Sequence, residues 1–200
     1  MAPHPNIRRL TVISAHLLVA VNLLVPSITP AQETLVSVRD QLPILLKALT
    51  FDRNLRTRCA DTLVLGILYQ SGYHQSEVIK EEFMRVAGEN AFRCVEDIPI
   101  RMVPIDLSRG TDLHTRIPAH GVTTLYVTPL RATDLKRIVA VTRKSRVLTL
   151  TGTSSYVENG LSIGVESKDK RLSLVINRRA FRAEGANLDS QLLQLARIIR

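Results

Sequence analysis

Two apolar runs near the end of the chain, "LSIGVES" and "RLSLVIN", are separated only by Lys168-Asp169-Lys170. So short a connection leaves no room for a crossover helix, so the runs must pair as an antiparallel hairpin. The chain before them keeps a different rhythm. "DTLVLGILYQ" (Asp61 to Gln70) is a continuous apolar run between polar flanks, the pattern of a strand buried on both faces. Ser76 to Ala87 then puts Val78, Ile79, Phe83, Val86 and Ala87 on one helical stripe. "IPIRMVPID" (Ile98 to Asp106), "VTTLYVTP" (Val122 to Pro129) and "RVLTLTG" are further strands. A short helical or irregular stretch surrounds Leu113, and "ATDLKRIVAVTRKS" is a helix starting near Ala132 or Thr133. Strands alternating with helices predict an α/β fold: a mostly parallel sheet flanked by helices, with a C-terminal antiparallel hairpin and a packed C-terminal helix.

Helix signals frame this unit. From Glu33 to about Leu55, Leu35, Val38, Leu42, Leu45, Leu46 and Leu49 recur at steps of three and four, with Pro43 expected to kink or split the helix. Asn177 stands where a cap belongs, ahead of "RRAFRAEG", and Gly185 can end that helix in a left-handed conformation. Arg178 and Arg179 in its first turn oppose the helix dipole, and nothing else in the sequence accounts for them. In the closing "NLDSQLLQLARIIR", Asn187 or Asp189 caps a helix with Leu188, Leu192, Leu195, Ala196 and Ile199 on one face. Gln191, Gln194 and Arg197 form its outer face.

The first residues do not belong to that pattern. Arg8 and Arg9 precede an apolar run from Leu10 to Val25, then Pro26 and Pro30, the layout of a secretory signal peptide. Residues 1–31 are therefore expected to be a cleaved leader and 32–200 a single α/β domain. An uncleaved anchor is the alternative, although the run falls short of the roughly 20 residues that span a bilayer. Removing Arg8 and Arg9 from 27 basic residues leaves 25 against 18 acidic ones, a mildly basic exported protein. Aromatic residues are only 4% and are not interleaved with the basic ones, which argues against nucleic acid. An anionic membrane nearby accounts for the charge more simply.

No enzymatic constellation stands out, and no catalytic, metal-binding or cofactor-binding residues are assigned. The chain has no P-loop, G-x-S-x-G, H-E-x-x-H or G-x-G-x-x-G motif. Ser167 and Lys170 have S-x-x-K spacing but fall in the hairpin, where no helix brings them together. His74 reads as a surface residue, and so do His114 and His120, which lack a third metal ligand. Asp112 reads as a turn or cap residue.

Cys59 and Cys94 are the only cysteines. In an oxidising compartment such a pair invites a disulfide. Each precedes a predicted parallel strand, so bridging is credible if those strands are neighbours and the Cα atoms come within about 7 Å. Such a staple would constrain the unfolded chain by roughly 3 to 4 kcal/mol. Two unpaired buried thiols and a redox-sensing disulfide are the other readings.

The stretch "VLTLTG...YVENGLSIGVESKDKRLSLVINRRAFRAEGANLDSQLLQLARII" resembles the carboxyl-terminal half of the YfiR-like family of exported proteins. The resemblance rests on Leu148 to Leu150, Gly160, Ile163, the R-L-x-x-x-I-N ending from Arg171 to Asn177, and the S-x-L-L-x-L-A helix from Ser190 to Ala196. "LLKALTFDRNL" stands where the family has its first helix, so the likeness spans about Leu45 to Ile199. The chain departs in having Asn159-Gly160 for the family's Gly pair, Val165 and Leu174 at usually aromatic positions, and no Trp. The resemblance implies a divergent periplasmic regulator without chemistry of its own, whose partner is an inner-membrane signalling protein such as a diguanylate cyclase. A periplasmic small-molecule-binding domain is the alternative. Oligomeric state, a homodimer included, is encoded in no feature of the sequence.

Overall fold

The run LVLGILY has no polar face to offer water, and as β1 (Leu63–Tyr69) it takes an interior place in an eight-stranded sheet. The structure, a computed structural model, describes residues 36–89, 92–108, 112–131, 135–168 and 171–200. The expected leader, the helix start at Ala132 or Thr133, and the hairpin turn with Lys170 lie outside the described residues. Both neighbours of β1, β3 (Ile98–Asp106) and β4 (Thr124–Val127), run parallel to it, with Leu65 opposite Met102 and Thr124. β5 (Leu148–Thr151) and β6 (Ile163–Lys168) continue the parallel set. β7 (Arg171–Asn177) returns antiparallel to β6, as so short a connection required. The edges are β2 (Cys94–Val95), antiparallel to β3, and β8 (Arg197–Ile199), parallel to β7.

The pleat of β1 divides the interior into two cores. Leu63, Leu65 and Ile67 join one, together with α1 (Val38–Leu49) and α3 (His74–Ala87), where Phe83 meets Tyr126 with ring centroids 4.3 Å apart. Val64 and Leu68 join the other, beneath α4 (Leu113–His120) and α5 (Leu135–Ser145) through Ile117, Ile138 and Val141. Each such side chain, fully buried, stabilises the fold by about 1.5 to 3 kcal/mol. Val78, expected on the buried stripe of α3, is instead 46% exposed. Ser37 caps α1 by accepting from Asp40 N. Pro43 is exposed inside α1 and does not divide it. The chain breaks instead after Leu49, where Asp52 gathers the turn before α2 (Leu55–Cys59) by accepting from Asn54 N at 3.0 Å.

The last third holds two differences from the sequence reading. A five-residue helix, α6 (Ser154–Glu158), carries the parallel rhythm one step past Gly152, where the sequence reading expected it to stop. Asn177 does cap α7 (Arg178–Ala183), accepting from Ala180 N at 3.0 Å, and Gly185 is left-handed at φ +85. Asp189 likewise caps α8 (Ser190–Leu195), accepting from Gln191 N at 2.8 Å. The predicted C-terminal helix ends there, and Arg197–Ile199 turns into a strand opposite Val175–Asn177. Leu188 and Leu192 are buried as expected, whereas Leu195 is 76% exposed. One and a half turns of helix are marginal, while β-branched Ile198 and Ile199 cover backbone groups of β7 that would otherwise stay unpaired.

Candidate functional site

Strand order reverses around β1: the chain leaves through α3 to β3 on one side and crosses through α4 to β4 on the other. Crevices at such a reversal, outside the carboxyl ends of parallel strands, are where α/β sheets hold ligands. Gln70 to Tyr73, Asp106 to Ser108 and Thr128 to Arg131 meet there. The loops are fastened to one another. Asp106 Oδ1 accepts from Ser71 N at 3.1 Å and Ser108 N at 2.9 Å, and Ser108 Oγ donates to Ser71 O at 2.8 Å. Gln70 Oε1 accepts from Arg131 N at 2.8 Å. Ser76, buried at the start of α3, accepts from Gln70 N at 2.9 Å and lies 2.6 Å from Thr128 Oγ1.

Beside this network opens a cleft of about 540 Å³, lined by Tyr69, Glu77, Val78, Lys80, Glu81 and Asp106. Lys80 Nζ sits 4.9 Å from the centre of the Tyr69 ring and pairs with Glu81, while Glu77 accepts from Gly72 N at 3.0 Å. The walls thus combine an aromatic ring and an apolar side chain with charges of both signs. That chemistry suits a small amphipathic molecule or a projecting side chain of a partner.

The cysteines do not pair. β1 and β3 are neighbours, as the disulfide reading required, yet Cys59 and Cys94 are both free thiols, the first buried and the second exposed. Cys59 Sγ turns to Thr123 Oγ1 at 3.6 Å, on the β4 side of β1, whereas Cys94 lies on edge strand β2, two strands away from β1. Burial pushes the Cys59 thiol up from its ordinary value.

The other singled-out residues separate. Asp112 is the cap of α4, accepting from His114 N at 3.1 Å and Thr115 Oγ1 at 2.9 Å, and the Thr115 bond holds its carboxyl below the usual range. His114 and His120 sit at opposite ends of α4, and no group of metal ligands occurs among the described residues. Ser167 lies on β6, while Lys170 is outside the described residues. Arg197 left the predicted helix face and pairs with Glu166 at 2.7 Å and Glu158 at 3.1 Å.

Sequence reasoning missed two buried carboxylates. Asp52 is paired with Arg58 at 2.9 Å and accepts from Asn187 N at 2.8 Å, tying the turn after α1 to the C-terminal segment. Glu184 is fully buried and accepts from Thr142 Oγ1 at 2.9 Å, Thr149 N at 2.8 Å, Thr149 Oγ1 and Ser162 Oγ, none of them charged. Burial pushes its carboxyl up to about 7, against the opposing pull of those hydrogen bonds. An acid at the carboxyl end of α7, opposed to the helix dipole, was the available signal for Glu184.

This architecture, a mostly parallel α/β sheet covered on both faces, is shared with several solved structures. The ABC domain in complex with L-Trp from Streptococcus pneumonia superposes with a TM-score of 0.58 at 16% identity, covering 81% of this chain and 62% of that one. A ligand-free, open substrate binding protein with adhesive properties from Clostridium difficile gives 0.57 at 13% identity, covering 82% and 60%. A conserved domain protein from Vibrio cholerae gives 0.59 at 14%, covering 82% and 60%. The chain spans about three fifths of the length of these structures. No curated protein matches the sequence. The YfiR/HmsC-like family matches residues 87–197, from the end of α3 through α8 and the start of β8, and the chain belongs to it. That is a family of periplasmic regulatory domains that act through protein partners.

Proposed function

We propose that residues 1–31 direct export and are removed, and that residues 32–200 form a single periplasmic domain that restrains a membrane-bound signalling enzyme, such as a diguanylate cyclase, by protein contact. Family membership over residues 87–197 carries this reading. The matched region also ends in an exposed apolar edge. Leu195 is 76% and Leu172 39% exposed, and β8 leaves its outer backbone groups open to an added strand. The partner's periplasmic part docks there, with Leu195 as anchor.

Crosslinked capture from native envelopes, identified by mass spectrometry, tests this. The expected result is enrichment of a membrane signalling enzyme by the native protein and at least a tenfold loss with Leu195→Asp, whose folding is checked by its melting curve. Recovery of abundant envelope proteins alone, or equal capture by both chains, counts against it.

The cleft at the carboxyl ends of β1 and β3 favours a second reading, a small-molecule-binding domain. Two of the structural neighbours are a complex with L-Trp and a substrate binding protein. A thermal-shift screen with metabolites separates the readings, because a ligand at 100 times its Kd stabilises the native state by about 2.7 kcal/mol.

A further inference from the structure

Three arginines stand where local physics opposes them. Arg178 and Arg179 occupy the first turn of α7, at the positive end of its dipole. Arg146 follows α5 in the left-handed conformation, φ +53, that favours glycine. Moreover, α5 reads LKRIVAVTRKS and α7 reads RRAFRA, without a carboxylate in either.

The fold gathers these cations at one place. The Arg146 side chain lies against Gly185, three residues beyond Arg182, its Cβ 3.5 Å from where a Gly185 Cβ would stand. Arg143 Nη2 lies 3.6 Å from the corresponding point at Gly160. Gly160 N and Asn177 Nδ2 both donate to Val157 O, at 3.2 and 3.0 Å, which brings Arg143 beside the start of α7. Arg143, Lys144, Arg146, Arg178, Arg179 and Arg182 therefore share the edge where β5 and β6 begin. All six are exposed, and none forms an ion pair among the described residues. Glu158 of nearby α6 is engaged by Arg197, and Glu184 is buried among hydroxyls. The exposed residues between the cations, Ala140 and Ala183, are small and uncharged.

We propose that this face docks the protein onto an anionic phospholipid surface, with the guanidinium groups of α5 and α7 engaging headgroup phosphates. Arginine forks match phosphate geometry, and six cations on one face, unpaired among the described residues, complement a sheet of negative charge. Lipid binding needs no partner enzyme, so it is tested apart from the regulatory reading.

The purified full chain is floated with phosphatidylcholine vesicles with and without 30% phosphatidylglycerol, in low and high salt. The readout is the difference between the two vesicle types, which leaves out any retention common to both. Anionic vesicles are expected to retain the protein in a salt-sensitive way. Arg178→Glu with Arg182→Glu lowers that retention by more than about twenty-five-fold, roughly fivefold for each cation lost, with the added carboxylates increasing the loss. Lys168→Glu with Arg171→Glu, the same charge change at the opposite end of β6 and β7, lowers it less than threefold. Should the first pair fail to fold, Arg178→Gln with Arg182→Gln replaces it, with an expected loss of about twenty-five-fold. Equal retention on both vesicle types, equal losses for the two charge reversals, or binding to polyglutamate without binding to vesicles would each overturn the proposal.

Discussion

At the carboxyl ends of its parallel strands this protein is held mainly by hydroxyls and amides around Asp106 and Glu77, while at the amino ends it buries Asp52 and Glu184. The first edge joins three loops through Gln70, Ser71, Ser76, Ser108 and Thr128 around Asp106. The second relies on Asp52, neutralised by Arg58, and on Glu184, surrounded only by neutral donors. Neutral bonds contribute about 0.5 to 1.5 kcal/mol each and can be exchanged singly. Buried charge is costly to disturb and responds to pH. The difference assigns adaptability to the edge with the cleft and rigidity to the edge that anchors the C-terminal segment.

The sharpest way to break the comparison is Asp52→Ala. It strands the nearly buried Arg58, which also donates to Thr123 O at 2.9 Å, and it releases Asn187 N. Urea unfolding is expected to show a loss of about 3 to 5 kcal/mol. A loss below 1 kcal/mol would mean the amino edge does not depend on its buried ion pair.

Glu184 comes next. Its folded pKa of about 7 lies above the ordinary 4.5, so the native state binds the proton more tightly than the unfolded chain. Its contribution is fully present below about pH 4.5, declines as pH rises, and is lost above about pH 7, an effect on the order of 3 kcal/mol. Glu184→Gln removes that slope while keeping the shape. Parallel stability curves for the two proteins between pH 4.5 and 7.5 contradict the assignment.

Ser76→Ala probes the other edge, leaving Gln70 N and Thr128 Oγ1 without their shared partner. A cost of about 1 to 3 kcal/mol is expected, independent of pH in that window. Pronounced pH dependence would erase the contrast between the edges.

The smallest effect concerns the thiols. Cys94 is expected to react with a maleimide in the native protein, and Cys59 only after unfolding, with Cys94→Ser neutral to within about 0.5 kcal/mol. Protection of both thiols in the absence of reductant restores the disulfide reading.

Much of the fold was legible because local patterns and tertiary packing agree. The apolar run at Leu63, the stripe around Phe83 and the hairpin from Ile163 to Asn177 each have one low-energy solution, and the caps Asn177 and Asp189 act within three residues of their own position. The cleft was less legible. Most of its lining, from Tyr69 to Glu81, is local in sequence, but Asp106 joins it only because β3 pairs beside β1.

By itself the sequence determined the alternation of strands and helices, the hairpin, the helix caps and the family, all set by short-range periodicity, turn length and side chains that bond their own backbone. Tertiary structure decided that "ARIIR" leaves its helix to become an edge strand, because β7 needed a partner more than a short helix needed another turn. It also decided that Glu184 is buried without a cation and that cations of α5 and α7 share one face. Those outcomes depend on which distant segments meet, and on the cost of leaving a polar group unpaired there.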